Sequence, residues 1–543
     1  MPAPPRPLLA AGVLLTVAAA VFASIRSAAP GRPGSAPAPA DPAPLEEWFE
    51  AEWGRRGLTP AAPADDLTVL RRLTLALHGS IPSLEQLRAF KADARPDRLA
   101  RWTDRLLADR RFADYWAERL ARSLVGTGGG QFVIYRRDRF TAWLADRLHA
   151  DRPWDETVRA MIAAEGLWTH RPAANFLTAA VADDFLDPNV LAGRTVRAFL
   201  GQRIDCAQCH DHPFADWSQG DYEGLAAFYG RTDYGLTGVR EHRGTADDPR
   251  EFVVQDRQTL EDRPVAPAVP FAAGRLPDGW ATDPAGRRRA LAAWVTHPRN
   301  RRFGRAVGNR VWGLMFGRAW HEPVDDLPDP APLADGERGD LLDRLDHTFR
   351  SGGYSVKRLV RTIAASRAFR VGSEVAEGTD ERRYDALAGA GAVFRPVRLR
   401  PEQMIGAMSQ AASVRTLGGD RALLTRALRW VRETDFVRDY GDLGEDELSG
   451  SPATVPQALL RLNGELAADL TGPNPFNAAG RVAAFAGPPA AQVEAAFLAC
   501  LTRRPTVEEA AAFAAFYEDG DGEAAIADVF WTLFNAPEFS WTR

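Results

Sequence analysis

The sequence of 543 residues is poor in cysteine and lysine and carries little net charge. Its three cysteines are too few for a scaffold stapled by disulfides. Lysine occurs only at Lys91 and Lys357, so arginine supplies nearly all the positive charge, which we interpret as a compositional habit. Acidic residues are interleaved with the arginines, and the formal net charge is −5. This balance argues against a nucleic-acid-binding protein.

The sequence also has few stretches in which polar and apolar residues alternate, the pattern that predicts strands. Most apolar residues recur at helical spacing instead, and residues 83–86 and 506–509 form capping boxes that predict helix starts. Residues 233–275 lose this periodicity and gain glycine, aspartate, arginine and proline. We therefore predict a mostly α-helical protein with two helical domains, at residues 45–232 and 276–543, joined by an irregular linker over residues 233–275.

Long apolar runs are absent except near the start of the chain. Residues 8–25 are uncharged and largely apolar, between Arg6 and Arg26. A run of about 18 residues is long for the core of a signal peptide and short for a membrane span. We predict a signal peptide or membrane anchor over residues 1–26 and a flexible linker over residues 27–44. The rest of the chain is then exported to the periplasm, either free or tethered to the cytoplasmic membrane by residues 8–25.

Two of the three cysteines occur in one short motif, Cys206-Ala207-Gln208-Cys209-His210, which continues as Asp211-His212-Pro213-Phe214. C-x-x-C-H is the pattern of covalent haem attachment. Its two thiols add to the two vinyl groups of a haem, and the adjacent imidazole ligates the iron. The motif therefore predicts a c-type haem on Cys206, Cys209 and His210, used in electron transfer or other redox chemistry. Such attachment is completed outside the cytoplasmic membrane, which agrees with the predicted export.

Other occupants of the motif stay open. Cys206 and Cys209 with His210 or His212 have suitable spacing for zinc, although a fourth ligand would have to come from a distant residue. A disulfide between the two cysteines suits an oxidising compartment. The second hypothesis is therefore a metal- or disulfide-stabilised helical scaffold that acts through protein partners.

A third hypothesis is a hydrolase or lyase with a metal at the same motif. The sequence has no nucleophile elbow, phosphate loop, H-E-x-x-H or Rossmann glycine pattern. Whether the protein is an enzyme, and on which substrate, therefore stays open.

Several other residues have two interpretations. We expect His212 to support the loop. Asp325 and Asp326 form either a paired-carboxylate site or a helix cap. Cys500 lies in an apolar run, and we expect it to be buried. The candidates for a sixth haem ligand are Met315, His321, His170 and His297. The arginines before the motif, which lie either on a solvated face or against haem propionates or a partner, are Arg194, Arg197 and Arg203.

Ordered motifs then connect the chain to a family. In the first half they are residues 70–77 with 82–85, 104–112 with Trp116, and 199–201 leading into 206–214 and Trp217; in the second half they are 309–312, 316–318, 323–326, 353–359, 456–459 and the region of Phe539. Over residues 45–543 the chain resembles exported planctomycete proteins that pair a cytochrome-type domain (PSCyt) with a C-terminal domain of unknown function (PSD). The resemblance implies haem c mainly through the C-x-x-C-H motif and implies no particular activity.

The chain departs from the pattern of the family in two ways. It lacks the separate N-terminal cytochrome c module that many relatives carry, so an electron relay within this chain is limited to one site. His78 stands where relatives usually have a small polar residue.

Overall fold

The computed structural model describes residues 41–543, apart from 130–132, 183–184, 244–250, 257–258, 284–285, 334–338, 419–434, 443, 445–447, 449–452, 473, 476 and 519–521. The predicted signal or anchor segment at residues 1–26, and residues 27–40 of the predicted linker, lie outside these residues. In the part of the chain that is described, no helix is long and apolar enough to cross a membrane.

The described chain is mostly helical, which confirms the predicted fold class. In the first half the helices are α1 (Ala43–Arg56), α2 (Asp66–His78), α3 (Leu84–Ala92), α4 (Arg98–Ala108), α5 (Arg110–Val125), α6 (Arg137–His149), α7 (Trp154–Ile162), α8 (Asn175–Thr178), α9 (Pro188–Phe199) and α10 (Gln219–Ala227). In the second half they are α11 (Arg287–Val295), α12 (Arg301–Phe316), α13 (Leu341–Ser351), α14 (Val356–Ala365), α15 (Arg367–Arg370), α16 (Glu381–Gly389), α17 (Pro401–Ala411), α18 (Val455–Asn463), α19 (Glu465–Thr471), α20 (Ala478–Phe485), α21 (Pro489–Leu501), α22 (Val507–Glu518) and α23 (Gly522–Asn535).

Strands are short and occur in antiparallel pairs. They are β1 (Val181–Ala182) with β2 (Phe185–Leu186), β3 (Thr232–Gly235) with β4 (Gly238–Glu241), β5 (Phe252–Gln255) with β6 (Asp262–Val265), and β7 (Val397–Arg398) with β8 (Trp541–Thr542). Thr232 is opposite Glu241 in the β3–β4 hairpin, and Phe252 is opposite Val265 in the β5–β6 hairpin. The predicted irregular linker thus contains two small hairpins, whose four-residue strands are too short to show a period in the sequence. The domain boundaries at residues 232 and 276 stay a prediction.

Both capping boxes are present. The Ser83 hydroxyl accepts the Gln86 N–H at 3.0 Å, and the Gln86 amide oxygen accepts the Ser83 N–H at 3.0 Å. Thr506 and Glu509 make the same reciprocal pair at 3.2 and 2.8 Å. These bonds satisfy backbone donors that a helix leaves open at its start, so the helices begin where the sequence predicts.

The apolar interior forms two clusters. The larger contains side chains from both halves of the chain, among them Phe49, Trp116, Trp294 and Leu345. The smaller joins α2 and α3 to the C-terminal helices, and it includes Cys500, which is fully buried as expected. Each cluster thus holds together segments that are far apart in the sequence.

Close packing between α12 and α13 leaves no room for a methyl group at Gly304. A Cβ atom there would overlap Oδ1 of the buried Asp346, whose carboxylate Arg350 holds at 2.7–3.0 Å. We predict that Gly304→Ala lowers the free energy of unfolding by about 1–3 kcal/mol. Gly54 of α1 has open space around it, so Gly54→Ala should raise that free energy by about 0.5–1 kcal/mol. Urea unfolding of both variants checks this; stabilisation by Gly304→Ala would contradict it.

His78 ends α2, where its Nε2 lies 3.0 Å from the carbonyl oxygen of Leu106. Burial and the positive charge of Arg111 lower the pKa of His78 from 6.5 to about 4. The folded protein therefore holds this imidazole neutral at pH values where the unfolded chain takes up a proton.

We predict that His78 lowers stability in acid. As the pH falls from about 6.5 to about 4, the unfolded chain binds a proton that the folded chain does not, so the free energy of unfolding falls, by on the order of 3 kcal/mol. His78→Gln should flatten this dependence in urea unfolding at pH 7.5 and 4.5. His170→Gln, at an exposed position, is the control. Parallel pH profiles for the wild type and His78→Gln would show that His78 is not the responsible group.

Candidate functional site

The C-x-x-C-H motif lies in the connection between α9 and α10. After α9 the chain passes Gly201, whose φ of +69° suits glycine, and then forms a 3₁₀ turn over Asp205–Gln208. Ile204 and Ala207 are fully buried beneath this turn. Cys206, Cys209 and His210 are exposed, so the turn is anchored by its apolar residues and presents its reactive ones to solvent.

The turn separates its two exposed cysteines by a buried residue. The Cys209 N–H donates to the Cys206 carbonyl at 3.2 Å, and the Ala207 N–H donates to the Ile204 carbonyl at 2.8 Å. A 3₁₀ helix has three residues per turn, so Cys206 and Cys209 lie about one turn apart. Both are exposed, while Ala207 between them is buried.

Local hydrogen bonds also shape the rest of the loop. The His212 N–H donates to the Trp217 carbonyl at 2.7 Å, and the Asp211 carboxylate accepts the Gln219 N–H at 2.8 Å. Ser218 and Asp221 form a capping box that starts α10. The loop is thus closed by its own polar groups, with Trp217 buried at its end.

The two histidines of the motif have different surroundings. His210 Nδ1 lies 2.7 Å from the Asp211 carbonyl oxygen, which can only accept, so we assign the proton to Nδ1 and the open lone pair to Nε2. His212 Nδ1 accepts the Phe214 N–H at 3.3 Å. His210 is therefore set up to ligate through Nε2, and His212 makes the loop-supporting contact that the sequence suggests.

The alternative ligand set does not form a metal site. In the described ranges, no group of three or more histidine, cysteine, aspartate or glutamate side chains is arranged to hold a metal ion. Cys206, Cys209 and His212 therefore do not form a ready-made zinc site. Both cysteines are free thiols in the structure. Covalent haem attachment needs two accessible thiols and one open imidazole nitrogen, and Cys206, Cys209 and His210 meet these requirements.

The arginines before the motif are held by protein groups. Arg197 and Arg203 both donate to Asp325, with Nε to oxygen distances of 2.5 and 2.9 Å. Arg194 donates to the carbonyl oxygens of Phe176 and Ala179. Arg197 and Arg203 are therefore partly exposed and paired with the buried Asp325, so they do not form a purely solvated face. A contact with haem propionates or with a partner stays a prediction.

Asp325 and Asp326 do not act as a carboxylate pair. Burial alone would raise the pKa of Asp325, but the hydrogen bond from Arg197 and the charges of Arg197 and Arg310 hold it below its ordinary value. Asp326 accepts the backbone N–H of Arg203 at 3.4 Å. Asp325 is therefore a charged structural partner of the chain that leads to the motif, a role the sequence does not reveal.

The four candidates for a sixth ligand occupy separate places. Met315 is buried in the larger core, and the His321 N–H donates to the Asn309 side chain at 2.9 Å. His170 is exposed beside Thr169, and His297 Nδ1 accepts the Arg299 N–H at 3.1 Å. Among the described residues, no hydrogen bond joins any of the four to the motif, so the identity of a sixth ligand stays open.

Fold and motif together define a class: a mostly helical protein that presents a C-x-x-C-H turn at its surface. Two family models match the chain. PSCyt2, a protein of unknown function (DUF1549), matches residues 44–234, and PSD1, a protein of unknown function (DUF1553), matches residues 287–434. The chain belongs to the proteins that pair these two domains, which confirms the resemblance seen in the sequence. Neither a curated protein nor a solved structure matches it.

We predict that a maleimide labels two of the three cysteines in the folded, reduced protein produced without haem. Cys206 and Cys209 are exposed, whereas Cys500 is buried and its burial raises the pKa of its thiol. Mass spectrometry of the labelled chain should show modification of Cys500 only after unfolding in urea. Labelling of Cys500 in the folded haem-free protein, or protection of both motif cysteines in it, would contradict the placement of the motif.

Proposed function

We propose that Cys206, Cys209 and His210 attach one haem c and that the protein transfers electrons in an exported compartment. The observation that carries this proposal is the geometry of the turn. Two exposed thiols lie about one turn apart in it, and His210 next to the second has Nδ1 against a carbonyl oxygen and Nε2 open. The predicted export supports the proposal, because haem c is completed outside the cytoplasmic membrane.

Attachment of the haem would need no reactant other than the two thiols and the two vinyl groups. Each thiol adds across one vinyl double bond, so that its sulfur forms a C–S bond and its proton ends on the neighbouring carbon. No oxidant is needed, but both sulfurs must be reduced thiols. His210 would hold the iron through Nε2, and the iron would supply one-electron redox chemistry when bound.

The exposure of the turn favours electron transfer to a partner protein. Cys206, Cys209 and His210 lie at the surface, so a cofactor attached there has an edge open to another molecule. Phe214, four residues beyond His210, exposes 93% of its surface. An exposed aromatic side chain beside a redox centre is a suitable contact for a redox partner.

The alternative is a scaffold protein without haem, and the same aromatic residue is the observation that favours it. Exposed aromatic side chains are typical anchors of protein interfaces. In that case Phe214 would bind a partner, and Cys206 and Cys209 would stay thiols or form a disulfide.

The proposal predicts one covalently bound haem per chain. The full-length protein, produced in a bacterial host with haem c maturation machinery, should give a pyridine haemochrome spectrum of haem c and a matching mass increase after denaturation. Cys206→Ser with Cys209→Ser should remove the haem entirely. Cys500→Ala is the matched control, because its thiol is buried away from the motif, and it should keep full occupancy.

Two histidine variants test the assignment of the axial ligand. His210→Ala should change the iron spectrum or lower haem occupancy, and added imidazole should restore the spectrum of any attached haem. His212→Ala, which removes only a loop contact, should keep the wild-type spectrum. Chains that emerge from this host without haem would reject the proposal, and a Cys206–Cys209 disulfide in them would favour the scaffold alternative.

A further inference from the structure

We infer that Asp325, in the PSD1 domain, is a positioning residue for the C-x-x-C-H turn in the PSCyt2 domain. The second domain would then set the orientation of the thiols and of His210. In so far as it concerns haem, this inference rests on the proposed function. The position of the turn itself depends only on contacts between protein groups.

Asp325 is shared by two arginines that stand on either side of the end of α9. Its Oδ2 accepts from Arg197, the last arginine of α9, at 2.5 Å. Its Oδ1 accepts from Nε and Nη2 of Arg203, at 2.9 and 2.8 Å. The carboxylate side chain is 7% exposed. One buried charge thus fixes both the helix and the residue three positions before Cys206.

The residues after Asp325 continue this contact along the approach to the motif. The Leu327 N–H donates to the Gly201 carbonyl at 2.6 Å, and the Gln202 amide donates to Asp329 at 2.7 Å. A Cβ atom on Gly201 would come within 3.0 Å of the Leu327 side chain. Residues 201–203 are therefore each bound to residues 325–329, so the two segments pack as a unit.

The segment that carries Asp325 is itself held rigidly. Asn309 of α12, which is fully buried, donates to the carbonyl oxygens of His321 at 2.9 Å and Val324 at 3.1 Å. Its side-chain oxygen accepts the His321 N–H. Asp325 therefore projects from a loop that is fixed to a core helix, so it offers Arg203 an acceptor whose position is set.

The hydrogen bonds inside the motif do not fix the approach to the turn. They join Ile204 to Ala207, Cys206 to Cys209 and His212 to Trp217, and Asp211 accepts from Gln219 at the start of α10. They define the shape of the loop and tie its far end to α10, but they leave the position of residues 201–203 unset. The contacts of Arg203 and Gln202 with residues 325–329 supply that position, together with the burial of Ile204 and Ala207.

Removal of the Asp325 charge should loosen the turn. Asp325→Asn leaves two guanidinium groups without their shared carboxylate, and a broken buried pair is strongly unfavourable. We expect hydrogen exchange of the amides at residues 201–209 to become faster by roughly tenfold or more in the full-length, haem-free chain. Asp325→Glu keeps the charge and should retain much of the protection.

Asp343 offers a matched control in the same domain. It is buried and also accepts from two arginines, Arg301 at 2.6 Å and Arg305 at 2.8 Å, but these lie on α12. Asp343→Asn should reduce overall stability while leaving the relative exchange at residues 201–209 close to that of the wild type. Equal acceleration in Asp325→Asn and Asp343→Asn, or none in Asp325→Asn, would overturn the inference.

Haem occupancy provides a second readout. In the haem c host, Asp325→Asn should lower the haem per chain relative to Asp343→Asn at matched protein stability. Haem-free wild-type protein would reject the proposed function, while the exchange measurements would still decide the role of Asp325. Unchanged exchange in Asp325→Asn alongside a haem-loaded wild type would reject only the positioning role.

Discussion

A buried guanidinium group must find several oxygen acceptors in its own plane, and this requirement organises much of the molecule. Arg72, almost fully buried, donates to the carbonyl oxygens of Phe369 and Val371 and lies 3.6 Å above the ring of Phe394. Arg288, equally buried, donates to the Ala164 carbonyl at 2.6 Å. Each such arginine ties one helix to a distant segment. The preference for arginine over lysine, which the composition alone does not explain, therefore matches the use of buried arginines as contacts between segments.

The connection that carries the motif is also held by an arginine. Arg203, which is partly exposed, donates to a carboxylate 122 residues further along the chain. An arginine suits this position because its fork binds one carboxylate oxygen through two nitrogens, which fixes direction as well as distance. A lysine would hold the same charge but would not set the orientation of the backbone in the same way.

Local features of the fold are predictable from the sequence. The helical spacing of apolar residues, the capping box at Ser83 and the apolar run around Cys500 depend on neighbours within a few residues, and the structure confirms them. The C-x-x-C-H motif likewise indicates the candidate site residues, because all three lie within five consecutive positions of the sequence. The loop contact of His212 depends only on Phe214 and is within reach of the same reasoning.

Features that depend on distant contacts are not predictable in this way. The partnership of Arg197 and Arg203 with Asp325 leaves no trace in spacing, since an arginine on a helix is more often solvated. The two hydrophobic clusters combine segments from both ends of the chain, and the sequence does not show which of these segments pack together. The hairpins at residues 232–241 and 252–265 are not predicted because their strands are only four residues long, too short to show a strand period in the sequence.

The long sequence separation between Arg203 and Asp325 has a consequence for the order of events during synthesis. A chain grows from its N-terminus, and its N-terminal parts fold first. Cys206 and Cys209 therefore leave the ribosome well before the residue that fixes their approach exists. During that interval the contacts of residues 201–203 with residues 325–329 do not yet exist, so the segment around the two cysteines is less constrained than in the folded protein. Completion of the second domain adds these contacts and holds the approach to the turn in place.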